Sequence, residues 1–508
     1  TRGTAAGDPT THQPPPATSH TQREKTPVWG TLLACPYLCP RSPRALYPSL
    51  FYSRAFRFSM SSSIGRRLFG KATLWQDWDS PSQPEGATRY WELFTDLLMV
   101  AAASSLADNL KDDTSISGFV EFILSYSVIT NGWLLYTHHY TARFVEGSLA
   151  HSFILLIFCL AMAVSIVNAG YDTAQYFSLA VVVQRVSFLA MLFPIYFDMP
   201  RARWHVSWLG ATVVATLPFF AVAIFRPNFT LLAWTCVAVI DWSLEFIGTT
   251  VLRGNRLLPA NIEHSKDRLG ILVMVMLGET VISSTISYRE EVSKVGLEKQ
   301  GQYYSELTLA FILIFMFCLL FFNMQPPIEH HAFRRSRFAG CMLLLLTKAL
   351  GATLLMTGVC IKLAIQDIVD DEDETSFGEA QSEDGPQRPS VASLLAYSVG
   401  ISLLFLYGMR ICHYGGVLPR ATDPFPIKRL TYIWWATFAA FSALPFLFVS
   451  VESTLLALAI QSGLLLALTV VETYFTHVLE KYLPTDEAEH GESMPLRSET
   501  PKTYSSDT

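Results

Sequence analysis

Glu279 sits in a stretch that carries no other charge from Leu269 to Tyr288. At a helical rise of about 1.5 Å per residue it lies roughly 16 Å beyond Arg268, near the middle of a bilayer core ~30 Å thick. A charged carboxylate at that depth costs roughly 2.5 to 3.5 kcal/mol, so it must be protonated, paired, or facing water inside a bundle. Arg185, Asp241 and Lys348 fall at similar depth in other apolar runs, and Glu92, Asp96, Glu245 and Glu472 stand closer to run ends. The pairs Glu92/Asp96 and Asp241/Glu245 are spaced i, i+4, which puts both carboxyls of each pair on one helix face. Like charges so placed share a proton or face a cation, which is the chemistry of proton or cation coupling. The plainer alternative is a set of fixed ion pairs, with Arg185 and Lys348 neutralising Asp241 and Glu279 and orienting the bundle.

The elements that must hold these groups are apolar helices. The chain of 508 residues is 51% hydrophobic and 16% charged, against about 25% charged in soluble proteins; its mean hydropathy is +0.31. Apolar runs fall at about 90 to 108, 118 to 139, 148 to 168, 174 to 197, 205 to 225, 229 to 250, 269 to 288, 306 to 325, 338 to 364, 392 to 412, 430 to 450 and 454 to 478. Each is close to the ~20 residues a spanning helix needs. The expected fold is therefore an all-α polytopic transmembrane bundle of about 12 helices.

Loop charge sets its orientation. With the N-terminus cytoplasmic, the inner loops collect Arg143, Arg201, Arg203, Arg253, Arg256, Lys266, Arg268, Arg334, Arg335, Arg337, Arg410, Arg420, Lys428 and Arg429. The outer loops hold only Lys111, Arg226, Arg289, Lys294, Lys299 and Arg388. This is the Lys/Arg bias of an N-in/C-in protein.

Around the bundle, residues 1 to 85 are basic and rich in Pro and Ser, as in a disordered or transit-like segment, with Met60 opening a Met-Ser-Ser-Ser stretch inside it. The transmembrane domain is expected over 86 to 483, with an acidic outer loop at 366 to 389 that either concentrates cations or is a solvated linker. Residues 484 to 508 read as a polar, disordered cytoplasmic tail. The histidines near helix ends, among them His138, His139, His205, His264, His330, His331, His413 and His477, are expected at the headgroup interface. Cys35 and Cys39 have no second pair, so no metal site is expected.

Three stretches carry a likeness. They are Trp91-Glu92-Leu93-Phe94-Thr95-Asp96-Leu97, the segment from Trp133 through Thr137 to Arg143-Phe144, and His264-Ser-Lys-Asp267-Arg268-Leu-Gly270 followed by Leu277-Gly278-Glu279. In this order they resemble the low temperature requirement A (LtrA) family, over about 90 to 480. Asp267 stands where that family usually has Glu. The resemblance implies a multi-pass integral membrane protein and no established substrate; it singles out Glu92, Asp96, Arg143, Arg185, His264, Asp267, Arg268 and Glu279.

The expected function is secondary transport of a small solute or ion, with the intramembrane carboxylates as the groups that would couple it to protons or another cation. The cavity would lie between the first, fourth, sixth, seventh and ninth helices, with Gly270 and Gly278 permitting close approach or local unwinding beside Glu279. A channel and a non-transporting scaffold are the alternatives; no carbonyl filter or ring of acids supports a channel. No H-E-x-x-H, G-x-S-x-G or P-loop is present, so no enzyme and no cofactor is expected. The partners are the lipid bilayer of the plasma membrane or an endomembrane and a small solute or ion, with no nucleic acid. Oligomeric state is left open.

Overall fold

Apolar runs punctuated by short polar turns become helices here because, in lipid, every backbone N–H and C=O must be satisfied within the segment itself. The computed structural model describes residues 72–74, 90–145, 148–252, 256, 258–291, 300–326, 331–377, 390–413 and 425–480. All of them fall within the unit Met60–Thr508. The other parts of the expected basic N-terminal segment, of the acidic loop and of the polar tail lie outside the described residues.

Twelve long helices follow in order: α1 Tyr90–Asp112, α2 Ile116–Leu134, α3 Leu149–Val167, α4 Ala174–Asp198, α5 Arg203–Phe225, α6 Thr230–Val251, α7 Ile262–Glu291, α8 Gln300–Asn323, α9 Arg337–Phe377, α10 Val391–Cys412, α11 Phe425–Ala443 and α12 Thr454–Glu480. Among the described residues, eleven helices are long and apolar enough to cross a membrane. The other long helix is α7, which carries the Glu279 stretch. Serine marks several starts: the side chains of Ser115, Ser148 and Ser390 accept from the backbone N–H groups of Gly118, His151 and Ser393, satisfying donors that a first turn leaves unmet.

α9 is the central helix and packs against α1, α2, α6, α7, α8 and α10. In its most apolar window 72% of residues are buried, against 28% in α5. A helix apolar on all sides belongs inside a bundle. The outward faces of α3 and α4 instead expose Phe153, Leu156, Leu160, Leu179 and Phe193, the side chains a lipid surface solvates.

Two features depart from expectation. α9 runs on to Phe377, through the acids Asp370 to Glu374, where a loop was expected from 366. Loss of apolar character does not end a helix; a breaker does, and no Gly or Pro occurs between Gly358 and Gly378. Within the expected N-terminal appendage, β1 (Thr73–Leu74) pairs antiparallel with β2 (Phe144–Val145), Leu74 opposite Phe144. This pairing covers Phe144, which is buried.

Candidate functional site

The first two sequence motifs and the His264–Gly270 part of the third meet at one end of the bundle. α2 does not stop at Leu134: it widens into a π turn over Leu135–Tyr140, closed by Thr141 N–H donating to the Tyr136 carbonyl. The wider turn carries the chain to Arg143, whose guanidinium donates to the carbonyls of His138 (2.8 Å) and Leu258 (3.3 Å). Asn261 N–H donates to the Ala142 carbonyl, and the Asn261 side chain accepts from His264 N–H, which fixes the start of α7 against the end of α2.

This arrangement aims the first turns of α7 at α1. Arg268 donates to Asp96 at 2.8 Å and approaches Glu92 at 3.8 Å. Trp133 Nε1 donates to the other oxygen of Asp96 at 3.0 Å. His264 Nε2 stands 3.6 Å from Glu92 and 3.0 Å from the hydroxyl of Thr141, which in turn donates to the Thr137 carbonyl. Glu92, Asp96, Trp133, Thr137, His264 and Arg268 are all buried. The like-charged i, i+4 pair on α1 thus faces a guanidinium and an imidazole, the arrangement that lets two carboxylates lie close in a low-dielectric interior. Asp267 points the other way and is exposed.

The charges nearer the middle divide into separate groups. Arg185 on α4 makes a two-point contact with Asp241 on α6, at 2.8 and 3.3 Å, and Asn131 on α2 adds a bond at 2.5 Å. Lys348 on α9 places Nζ 4.2 Å from the centre of the Trp242 ring, a cation–π contact. Glu245, one turn beyond Asp241, lies 3.5 Å from His139. Glu279 is met by neither expected cation. Its carboxylate is 3.8 Å from Lys362 on α9, and Lys362 is 2.9 Å from Asp108 on α1. The expected quartet is therefore split: Arg185 and Asp241 form an α4/α6 pair, Lys348 stands against Trp242, and Glu279 joins an α7/α9/α1 triad with Lys362 and Asp108. Lys362 and Asp108 escaped the sequence reading because each falls close to the end of its apolar run, where a charge is less costly than at the depth of Glu279. A further group joins Glu472 on α12 to Arg410 on α10 at 3.9 Å and to Trp434 on α11.

The two motif glycines do not open α7, which stays helical through both. A side chain at Gly270 would meet Phe322 only at ordinary contact distance, and at Gly278 nothing lies within 4 Å. Close approach belongs instead to α9, where Gly351 abuts Tyr126 of α2 and Gly358 abuts Thr280 of α7. Among the histidines expected at the interface, His138, His205, His264, His331 and His413 are buried in the protein. The reason is local: each lies where helix ends turn back onto one another, so its imidazole meets protein and not headgroups. Among the described residues no group of three or more His, Cys, Asp or Glu is placed to hold a metal ion.

A cavity of about 540 Å³ lies between the end of α1, the start of α2 and the turn before α4, lined by Asp112, Asp113, Glu121 and Asp172 among others. In the turn between α1 and α2, hydrogen bonds from Ser115 hold the Asp113 carboxyl below its ordinary range. Asp108 is one turn along α1 from Asp112, and its side chain is 62% exposed, whereas those of Lys362 and Glu279 are 7% and 3% exposed. The triad therefore runs from an accessible carboxylate, through a buried ammonium, to a buried carboxylate.

The profile of the family described as Bacterial low temperature requirement A protein (LtrA) matches residues 87–475 of the chain. No curated protein and no solved structure matches.

Proposed function

The chain belongs to the LtrA family and is a multi-pass integral membrane protein, and from that premise we propose that it is a secondary transporter of a small solute or ion, coupled to protons or another cation through its intramembrane carboxylates. The observation that carries the proposal is the shared ammonium of Lys362, held between Asp108 and Glu279. The ammonium ties a buried carboxylate to an exposed one, so protonating either carboxyl, or placing a cation beside it, shifts the charge balance of the other. Its accessible member lies beside an acidic vestibule that raises the local concentration of cations. Neutralising Glu279 would leave Lys362 to Asp108 alone and release a link between α7 and α9, which is the kind of two-state contact that alternating access needs.

The Arg185/Asp241 pair and the Glu92/Asp96/Arg268 cluster serve this reading as fixed charges that keep the bundle in register while the triad changes occupancy. The test is proton uptake into proteoliposomes under an imposed pH gradient, followed with an entrapped pH dye. Wild type is expected to dissipate the gradient, and Glu279→Gln to slow it by at least tenfold. Equal rates in the two proteins would remove Glu279 from the mechanism. A tight vesicle with either protein would favour a scaffold.

A further inference from the structure

A second cavity, of about 240 Å³, lies at the opposite end of the bundle, between the π turn of α2 and the starts of α5, α7 and α9. Its volume is below the usual range of drug-sized pockets and suits a small molecule. His138 and His205 line it, each only 5% exposed. Nδ1 of His138 and both ring nitrogens of His205 have no hydrogen-bond partner among the described residues. A neutral imidazole carries one donor and one acceptor, and buried groups of this kind are almost always matched. Two unmatched imidazoles on the walls of one cavity point to a polar ligand between them.

The charge of that ligand follows from the other walls. Arg143 lines the cavity and is buried, and its hydrogen bonds all go to backbone carbonyls, so its positive charge is balanced by no carboxylate at ion-pair distance among the described residues. Arg337 adds a second positive charge at the rim. The one acid among the lining residues, Glu245, lies 3.5 Å from His139 and offsets part of the Arg143 charge, which leaves the two guanidinium groups with one positive charge in excess. The remaining walls include Trp208, Leu252, Leu258, Phe333 and Leu344. Such walls would strip the hydration of an inorganic dianion without replacing it, but they cover an apolar body well.

We propose that this cavity binds a small organic monocarboxylate. Arg143 supplies the opposite charge, His205 and His138 supply the hydrogen bonds, and Trp208, Phe333 and Leu344 pack against the apolar part. Binding here does not depend on the transport reading, because it is measurable whether or not the ligand crosses the membrane.

The full-length protein in nanodiscs is titrated calorimetrically with benzoate, benzylamine or inorganic phosphate. Benzoate is expected to bind at one site per chain, and at least tenfold tighter than either of the others. Affinity should fall at least tenfold in His205→Leu and be largely kept in His205→Gln, which retains a donor and an acceptor. Thr212→Phe, which places a ring in the cavity wall, should abolish binding with the melting temperature unchanged and so guards against misfolding of the histidine variant. No heat with benzoate, equal binding of benzylamine or phosphate, or undiminished binding to Thr212→Phe would each overturn the assignment.

Discussion

His413 and His331 share a buried corner where the end of α10 meets the turn before α9, their rings 4.9 Å apart. His413 Nδ1 accepts from Ala332 N–H at 3.1 Å, and His331 caps its own short helical turn, Ala332–Arg335, by accepting from Phe333 N–H. Burial, then the neighbouring His331, Arg410, Lys266 and Arg335, pushes His413 down to about 3; burial, then Lys266, pushes His331 down to about 4. Both imidazoles are harder to protonate folded than unfolded, so below an ordinary value near 6.5 the unfolded chain binds more protons. Their contribution is complete above that pH and is lost as the pH falls toward about 4 and then about 3. At about 1.4 kcal/mol per pKa unit, the loss amounts to several kcal/mol. We expect the melting temperature of the purified protein to drop between pH 7 and pH 4.5, and to drop less in His413→Asn, whose amide oxygen keeps the Ala332 bond but does not titrate. Parallel curves would show that the corner does not sense pH. Sequence placed both histidines correctly along the chain and wrongly in their surroundings. The same limit applies to Glu279: depth says that a charge needs compensation, but the partner depends on α9 lying beside α7 with α8 displaced, and no residue pattern announces that neighbour.

At the level of elements, the existence and order of the helices were legible because apolar runs of spanning length follow directly from the bilayer, whereas the polar extensions of α7 and α9 and the packing faces were not. The Leu-Gly-Glu setting of Gly278 suggests a close crossing, yet the close contact between α7 and α9 is made at Gly358 of α9. Gly351 and Gly358 are seven residues apart, two turns along one face, and let α9 approach α2 and α7. A methyl group at Gly358 would stand 2.7 Å from the Thr280 hydroxyl, and one at Gly351 would push on Tyr126, whose hydroxyl donates to the Lys348 carbonyl. Overpacking of this kind costs about 1 to 3 kcal/mol. At Gly278 a methyl group meets nothing within 4 Å, and alanine in a helix is better than glycine by up to about 1 kcal/mol. Gly351→Ala and Gly358→Ala are therefore expected to lower the melting temperature, and Gly278→Ala to leave it unchanged or raise it. The opposite order in a thermal melt would mean that α7, not α9, makes the tight contact. The π turn of α2 is a second element that sequence did not disclose: Leu135 to Tyr140 contains no Gly or Pro, and the widened turn becomes intelligible only once Arg143 is seen to donate to the carbonyls of His138 and Leu258.

For the molecule as a whole, the alternation of loop charge becomes a spatial statement. Asn261 bonds to Ala142, Arg337 to the Leu252 carbonyl, Arg335 to the Ile411 carbonyl and Ala332 to His413, so these turns gather at one end of the bundle. At the other end Ser125 bonds to Ala169, and Tyr171 to the Pro227 carbonyl. Arg143, Arg334, Arg335, Arg337 and Arg410 all belong to the first end; the second has Asp112, Asp113 and Asp172. Because cytoplasmic loops retain Lys and Arg during insertion, the arginine-rich end is expected to face the cytoplasm, with the small cavity opening there and the acidic vestibule opposite. Arg201, in the turn between α4 and α5, and Asn228, in the turn between α5 and α6, are both exposed and lie at opposite ends of α5. In intact cells a membrane-impermeant maleimide should label Asn228→Cys above the background of the native cysteines, and should reach Arg201→Cys only after permeabilisation. Labelling of Arg201→Cys alone would invert the protein in the membrane and hand the acidic vestibule to the cytoplasm. Under the proposed coupling, the accessible Asp108 of the Lys362 triad would then exchange protons or cations with the cytoplasm.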